Sequence, residues 1–113
     1  MSLRDWKERV QDILDAIAEI RTFTHGMDFQ AFANDVKTLK AVELDFIVIG
    51  EAANQIPDEV EGDNPQVPWQ LMRAMRNRLV HVYFSVSARL LWDTVQNDLP
   101  ALVAPLEALL TKK

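Results

Sequence analysis

Apolar residues recur along this chain every three or four positions, the spacing of one face of an α-helix. Leu3, Trp6, Val10, Ile13, Leu14, Ile17 and Ile20 make the first stripe. Ser2 and Asp5 stand at the spacing of a capping pair, so the first helix is expected to open near Ser2. Gly26 is its expected stop, with His25 in the last turn, where a cation suits the helix dipole. A short helix is expected after Asp28. A third helix is predicted from Asp35 to Ile56, ended by Pro57, with a main stripe of Val36, Leu39, Val42, Phe46, Ile49, Ala53 and Ile56. Its second, mixed stripe of Leu44, Val48, Glu51 and Gln55 predicts a helix sandwiched between neighbours.

Residues 57–67, PDEVEGDNPQV, read as the one real loop. Pro68 stands where a proline opens a helix, and the fourth helix is predicted from Pro68 to about Phe84. Ser87 looks like the cap of a fifth helix that includes Leu91, Trp92 and Val95. Pro100 is expected to break or kink it, and a last segment ends at Lys112 and Lys113. No two-residue alternation is long enough for a strand, and no segment repeats. The expectation is an all-α, up-and-down bundle of four to five helices in a single domain over residues 1–113.

Composition narrows the chemistry. Apolar residues at 49% and charged residues at 26% suit a globular domain of 113 residues with one core. The absence of cysteine excludes disulfides and thiolate metal sites, and two histidines are too few for a His-rich zinc site, so no metal or cofactor is expected. The N-terminal MSLRDWKERV lacks the apolar core of a signal peptide, and apolar runs such as Phe46 to Ile49 are too short for a bilayer. A cytoplasmic protein without a membrane partner is expected.

The net charge of −5 argues against broad non-specific nucleic-acid binding, and no DNA partner is expected. Its distribution matters more than its sum. Residues 64–92 contain no Asp or Glu and four arginines: Arg73, Arg76, Arg78 and Arg89. The rest of the chain holds all 17 acidic residues and eight of the 12 basic ones, so the pattern is one local basic site on an acidic body.

That site falls on the fourth helix. At about 100° per residue, Leu71, Met72, Met75, Leu79 and Val82 cluster on one side, the expected core face. The opposite side carries Arg73, Asn77, Val80, His81 and Phe84. A second apolar face on a bundle helix implies another helix packed there, from the same chain or a partner. Asn77 and His81 are one turn apart on one face, and Arg76 and Tyr83 lie two turns apart on one edge. Arg76 and His81 are five apart, about 140° around the axis. To meet on one substrate group, they need a substrate lying across the helix or a second copy of the chain.

Each residue also has a plainer reading. His81 can be a hydrogen-bonded packing residue, Tyr83 a core-edge aromatic, the arginines a solvated face, and Glu51 a buried partner for one of them. Together, a cation, an amide, an imidazole and a phenol on one helix in an acid-free segment point to a site.

RNRLVHVY, residues 76–83, resembles the Arg-x4-His-x-Tyr motif of HepT-like proteins, a branch of the HEPN (higher eukaryote and prokaryote nucleotide-binding) superfamily. The resemblance extends to IGEAANQIP at 49–57, VPW at 67–69 and LLWDTVQNDLPAL at 90–102, in the family's order and over nearly the whole chain. It implies a small helical bundle that dimerises through the motif helix, with a homodimer or higher oligomer placing two motifs in a shared cleft. It implies a metal-independent endoribonuclease toxin of a type VII-like toxin–antitoxin pair, whose partner is an MntA-type nucleotidyltransferase antitoxin that transfers AMP to the motif tyrosine. By position, Arg76 and His81 are then the catalytic pair, Asn77 is the polar residue after the arginine, and Tyr83 is the modification site.

The residues fit metal-free RNA cleavage. The reaction needs a base for the ribose 2′-hydroxyl, an acid for the leaving 5′-oxygen and a cation for the phosphorane charge. Histidine can serve as base or acid and arginine offers a fork of donors to phosphate. Arg73 and Arg78 are expected to attract the RNA backbone, and Glu51 is a possible partner within the cleft. The competing class is a non-catalytic helical subunit of a two-component nucleotidyltransferase, binding a nucleotide or anion in the same cleft.

Overall fold

A computed structural model describes residues 5–111. The Ser2 cap, Leu3 and the closing lysines lie outside the described residues. Helix α1 (Asp5–Phe23) ends in a turn at Gly26, whose φ of 76° is the left-handed conformation that glycine adopts without strain. His25 therefore lies in that turn rather than in the helix, and Arg21 supplies the cation of the last turn. The short α2 (Phe29–Ala33) is capped by Asp28, and α3 (Val36–Asn54) by Asp35, whose carboxylate accepts from the Thr38 N–H at 3.1 Å.

Residues 57–67 are not all loop. Asp58–Asp63 form a short helix, α4, anchored by buried Val60. Asp58, Glu59 and Glu61 fall in its first turn, where acidic side chains suit the helix dipole, so the polar run read as a loop carries its own helix signal. Helix α5 (Trp69–His81) begins one residue after Pro68. It stops earlier than its periodicity suggests, and Tyr83–Ser85 form a 3₁₀ turn. The closing run Val80–Phe84 is β-branched and aromatic and resists helix formation, and Ser85 draws the chain tighter through bonds to the Val82 carbonyl.

Ser87 caps α6 (Ala88–Asp93) as expected, accepting from the Leu90 N–H at 3.0 Å. Pro100 does not break the rod. The chain widens into a π-turn at Thr94–Asp98, closed by the Leu99 N–H on the Thr94 carbonyl, and continues as α7 (Leu99–Leu110). A proline has no N–H for the carbonyl four residues back, and the wider turn accommodates the ring.

The result is an all-α bundle of four long rods: α1, α3, α5 and the continuous α6–α7. Helix α3 packs against α1 and α5, and α7 against α1. Val10, Ile13, Ile17, Ile20, Val42, Phe46, Ile49, Met72, Met75, Leu79, Leu102 and Leu106 fill the centre. Among the described residues no helix is long and apolar enough to cross a membrane.

Helix α3 does lie between two neighbours, α1 and α5, but not through its second stripe: Leu44 is 61% exposed and Val48 also faces outward. Val82, placed by periodicity on the core face, is 53% exposed because the helix ends before it. Most of the exposed large apolar residues, Leu44, Val48, Val80, Val82, Tyr83 and Phe84, belong to α3, α5 and the turn after it; Phe23 ends α1, and Val36, read as part of the core stripe, is exposed at the first turn of α3.

One carboxyl group lies inside the fold. Asp45 of α3 is buried toward Glu19 of α1, and its Oδ2 has no hydrogen-bond partner. Burial, then the hydrogen bond and charge of Glu19, push its pKa up to about 7. A carboxyl whose folded pKa lies above its unfolded value binds more protons in the folded state, so its contribution to stability falls as pH rises from about 4 to about 7. Asp45→Asn should remove this slope. In thermal melts from pH 4 to 8, the Tm advantage of the variant over the parent should grow with pH and level off above about 7.

Candidate active site

The site is built where α3 and α5 cross. Gly50 is buried on α3, and a Cβ there would overlap the Cβ of Arg76 and stand 2.9 Å from the Met72 carbonyl oxygen. The missing side chain lets α5 approach to backbone distance at the turn that carries Arg76. Next to Gly50, Glu51 reaches the arginine: Arg76 Nε donates to Glu51 Oε1 at 2.8 Å, and Nη2 forms an ion pair with the same oxygen at 2.7 Å. Arg76 Nη1 donates to Asn77 Oδ1 at 3.0 Å. The guanidinium is thus held from both sides, and donor hydrogens remain for a further acceptor. Glu51 is half exposed, not the buried partner that its place in the sequence allowed.

His81, at the last position of α5, is exposed and makes no hydrogen bond among the described residues. It is not the bonded packing histidine of the plainer reading. Arg76 and His81 keep their five-residue offset on one regular helix.

Tyr83 is not on the helical edge shared with Arg76, because the helix has ended. The 3₁₀ turn directs its phenol to α3, where it donates to Glu43 Oε1 at 3.1 Å. The carboxylate, by accepting this bond and by its charge, raises the Tyr83 pKa above the usual phenol value.

The other two arginines are engaged within the chain. Arg73 pairs with Glu61 of α4 and donates from Nη2 to the Ala53 carbonyl at 3.1 Å, so it ties α4 and the end of α3 to α5. Arg78 donates from Nη2 to the Ser85 carbonyl at 3.1 Å and bridges the end of α5 to the following turn. The basic segment is therefore less free than its charge count implies. Gly50, Glu43, Glu61 and Ser85 shape the site without having been singled out from the sequence. For Gly50 and Glu61 a signal existed: a lone glycine inside a helical pattern, and an acid in the run before an arginine-bearing helix.

Comparison with known proteins bears on this arrangement. The profile of the family described as "Ribonuclease HepT-like" matches residues 13–109. The chain belongs to the HepT-like ribonuclease family. A protein of Thermococcus cleftensis named "Probable ribonuclease HepT" is 41% identical over 106 residues, covering 94% of this chain and 96% of that one. A proposed RNase of Methanocaldococcus jannaschii is 36% identical over 110 residues, covering 97% and 91%. A proposed RNase of Caldanaerobacter subterraneus is 32% identical, covering 78% and 79%. No solved structure matches the chain significantly. In this HepT-like chain, the motif's arginine and histidine lie on α5 and its tyrosine on the turn beyond.

The close crossing can be tested by comparing two glycines. Gly50→Ala should destabilise the fold by about 1–3 kcal/mol, because the methyl meets backbone and a Cβ rather than a flexible side-chain end. Gly62→Ala, with nothing within 4 Å of the added carbon, should be neutral or stabilising by up to about 1 kcal/mol, the ordinary helical preference. Urea denaturation of the two variants measures both.

Proposed function

We propose that this chain is a metal-independent endoribonuclease, with Arg76 and His81 as the reacting residues in a cleft shared by two copies. The observation that carries this reading is the contrast along α5: Arg76 is fixed by Glu51 and Asn77, while His81 stands exposed and unbonded at the end of the same helix. A fixed guanidinium suits a phosphate, and a free imidazole suits proton transfer.

His81 takes the proton of a ribose 2′-hydroxyl, the 2′-oxygen attacks the adjacent phosphorus, and the bond from phosphorus to the 5′-oxygen breaks. The leaving oxygen takes a proton from a second imidazole. Arg76 neutralises charge on the non-bridging oxygens in the transition state. One chain offers one motif histidine, and a two-fold dimer supplies two. The exposed Leu44, Val48, Val80 and Val82 give such a dimer an apolar face on α3 and the end of α5. Arg78 lies at the cleft edge and contributes to RNA attraction, whereas the partly buried Arg73 acts through the α3–α4–α5 packing.

The reading extends to a toxin whose partner is an MntA-type nucleotidyltransferase. Tyr83 is 40% exposed on the protomer, within reach of a transferring enzyme. AMP on its oxygen would remove the proton that Glu43 accepts and place an anionic phosphate beside the cleft, competing with RNA by charge and bulk.

The test is cleavage of a single-stranded RNA by purified protein in EDTA. His81→Ala should lower the rate by about 10²–10⁴-fold, the usual contribution of a positioned acid or base. Undiminished cleavage by this variant would sink the assignment of His81, and a requirement for a divalent ion would sink the metal-free mechanism. Nucleotide-induced stabilisation without RNA cleavage would favour the nucleotide-binding subunit instead. With an MntA-type transferase and ATP, the mass should rise by one or more AMP groups in the parent and not in Tyr83→Phe.

A further inference from the structure

Phe84 is 99% exposed. An isolated surface phenylalanine is ordinary in general, but the turn beneath this one is held by hydrogen bonds. It sits in the 3₁₀ turn three residues after His81, and that turn is fastened four ways. Ser85 N–H and Ser85 Oγ each donate to the Val82 carbonyl at 2.8 Å, Val86 N–H donates to the Tyr83 carbonyl at 3.1 Å, and Arg78 Nη2 donates to the Ser85 carbonyl at 3.1 Å. Tyr83 meets the phenylalanine ring edge-on, with centroids 5.4 Å apart and planes at 76°. Residues 80–85 line an open depression of about 400 Å³ that includes His81, within the size range of sites for one small ligand.

We propose that Phe84 is a stacking platform for one unpaired base of a single-stranded RNA whose phosphate lies at Arg76 and His81. This rests on the RNA-cleaving reading and adds the substrate's form. A base stacks on an aromatic face without regard to sequence, and only a base free of a duplex can reach one. Charge orients the strand. Glu43 lies on the Tyr83 phenol, so the phosphates run past Arg78 and His81 while the base turns toward Phe84. Four hydrogen bonds set the backbone of the turn and the Tyr83 ring stands edge-on to Phe84, so less of the platform has to be ordered when the RNA binds. The alternative occupant is a second copy of the chain. Leu44, Val48 and Val80 form a half-covered face suited to that contact, whereas Phe84 projects beyond its own chain almost entirely.

The experiment measures binding rather than cleavage. A fluorescent single-stranded oligonucleotide with 2′-O-methyl sugars, which cannot be cleaved, is titrated with the parent, Phe84→Ala, Phe84→Leu and Phe84→Trp, and the mass of each protein is measured by sedimentation. Alanine and leucine should both weaken binding by roughly 5–100-fold, the range of one base–aromatic stack. Tryptophan should retain it, and the mass should not change. An abasic site scanned along the strand should, at one position, weaken the parent to the same degree and leave Phe84→Ala unaffected. Two results overturn the proposal: affinity unchanged in the alanine and leucine variants, or a loss in alanine that leucine restores together with dimer mass, which marks the ring as a contact between copies. If the parent cleaves RNA and these results are negative, the platform alone is wrong. If the parent neither binds nor cleaves RNA, the functional reading falls and takes the platform with it.

Discussion

The arrangement depends on the absence of one side chain, at Gly50. Helices normally stand 8–10 Å apart, spaced by the residues between them. At Gly50 nothing intervenes, and the Arg76 stem lies against the backbone of α3. Glu51, adjacent in sequence, then stands beside the guanidinium, and its carboxylate can hold it in a bond short enough to fix direction. The same antiparallel contact brings Glu43, about two turns earlier on α3, to Tyr83 at the far end of α5. Two carboxylates of α3 thus meet an arginine of α5 and a tyrosine of the turn after it, and the glycine permits the close crossing at the arginine.

The electrostatics follow the same geometry. Residues 64–92 hold four arginines and no acid, which reads as an exposed basic patch when the chain is taken linearly. Folding returns acids to three of them from elsewhere or along the helix: Glu61 to Arg73, Glu51 to Arg76 and, at 3.7 Å, Asp93 to Arg89. Arg89 also lies over the Phe29 ring, with its guanidinium carbon 3.6 Å from the centroid. The acids that pair with these arginines lie outside the segment, across a helix contact for Arg73 and Arg76 and one turn along the helix for Arg89. Such pairing holds the guanidinium groups in fixed directions, which matters more for recognising a phosphate than surplus charge does.

Much of the bundle was legible. Stripes of three-to-four spacing located α1, α3 and α5, and Gly26 and Ser87 marked the stop of α1 and the start of α6; Asp35, read as the first residue of the third helix, is its cap. The misreadings share one cause. Periodicity extends a helix for as long as the pattern lasts, but the end of a helix depends on competing bonds. The apolar run to Phe84 continues the α5 pattern, yet Arg78 and Ser85 stabilise a tighter turn. That difference moves Val82 out of the core and turns Tyr83 toward α3. Pro100, expected to break or kink its helix, follows a π-turn that interrupts the regular α-helix while letting the rod continue. The candidate residues were legible as types and spacings, and so was Glu51 as a partner for one of the arginines. Which arginine it meets, and the bond from Tyr83 to Glu43, were not, because those pairs lie 25 and 40 residues apart in sequence.

By itself, the sequence determined an all-α bundle, the helix that carries the Arg-x4-His-x-Tyr pattern, and the family to which that pattern belongs. These depend on local spacing and residue type, which a linear chain displays directly. Tertiary structure alone decided which arginine is held by Glu51 and Asn77 and which ties the bundle together, where the motif tyrosine points, and that the second stripe of α3 faces outward. Those outcomes depend on which side chains meet across helices, and that is set by how closely α3 and α5 approach at Gly50.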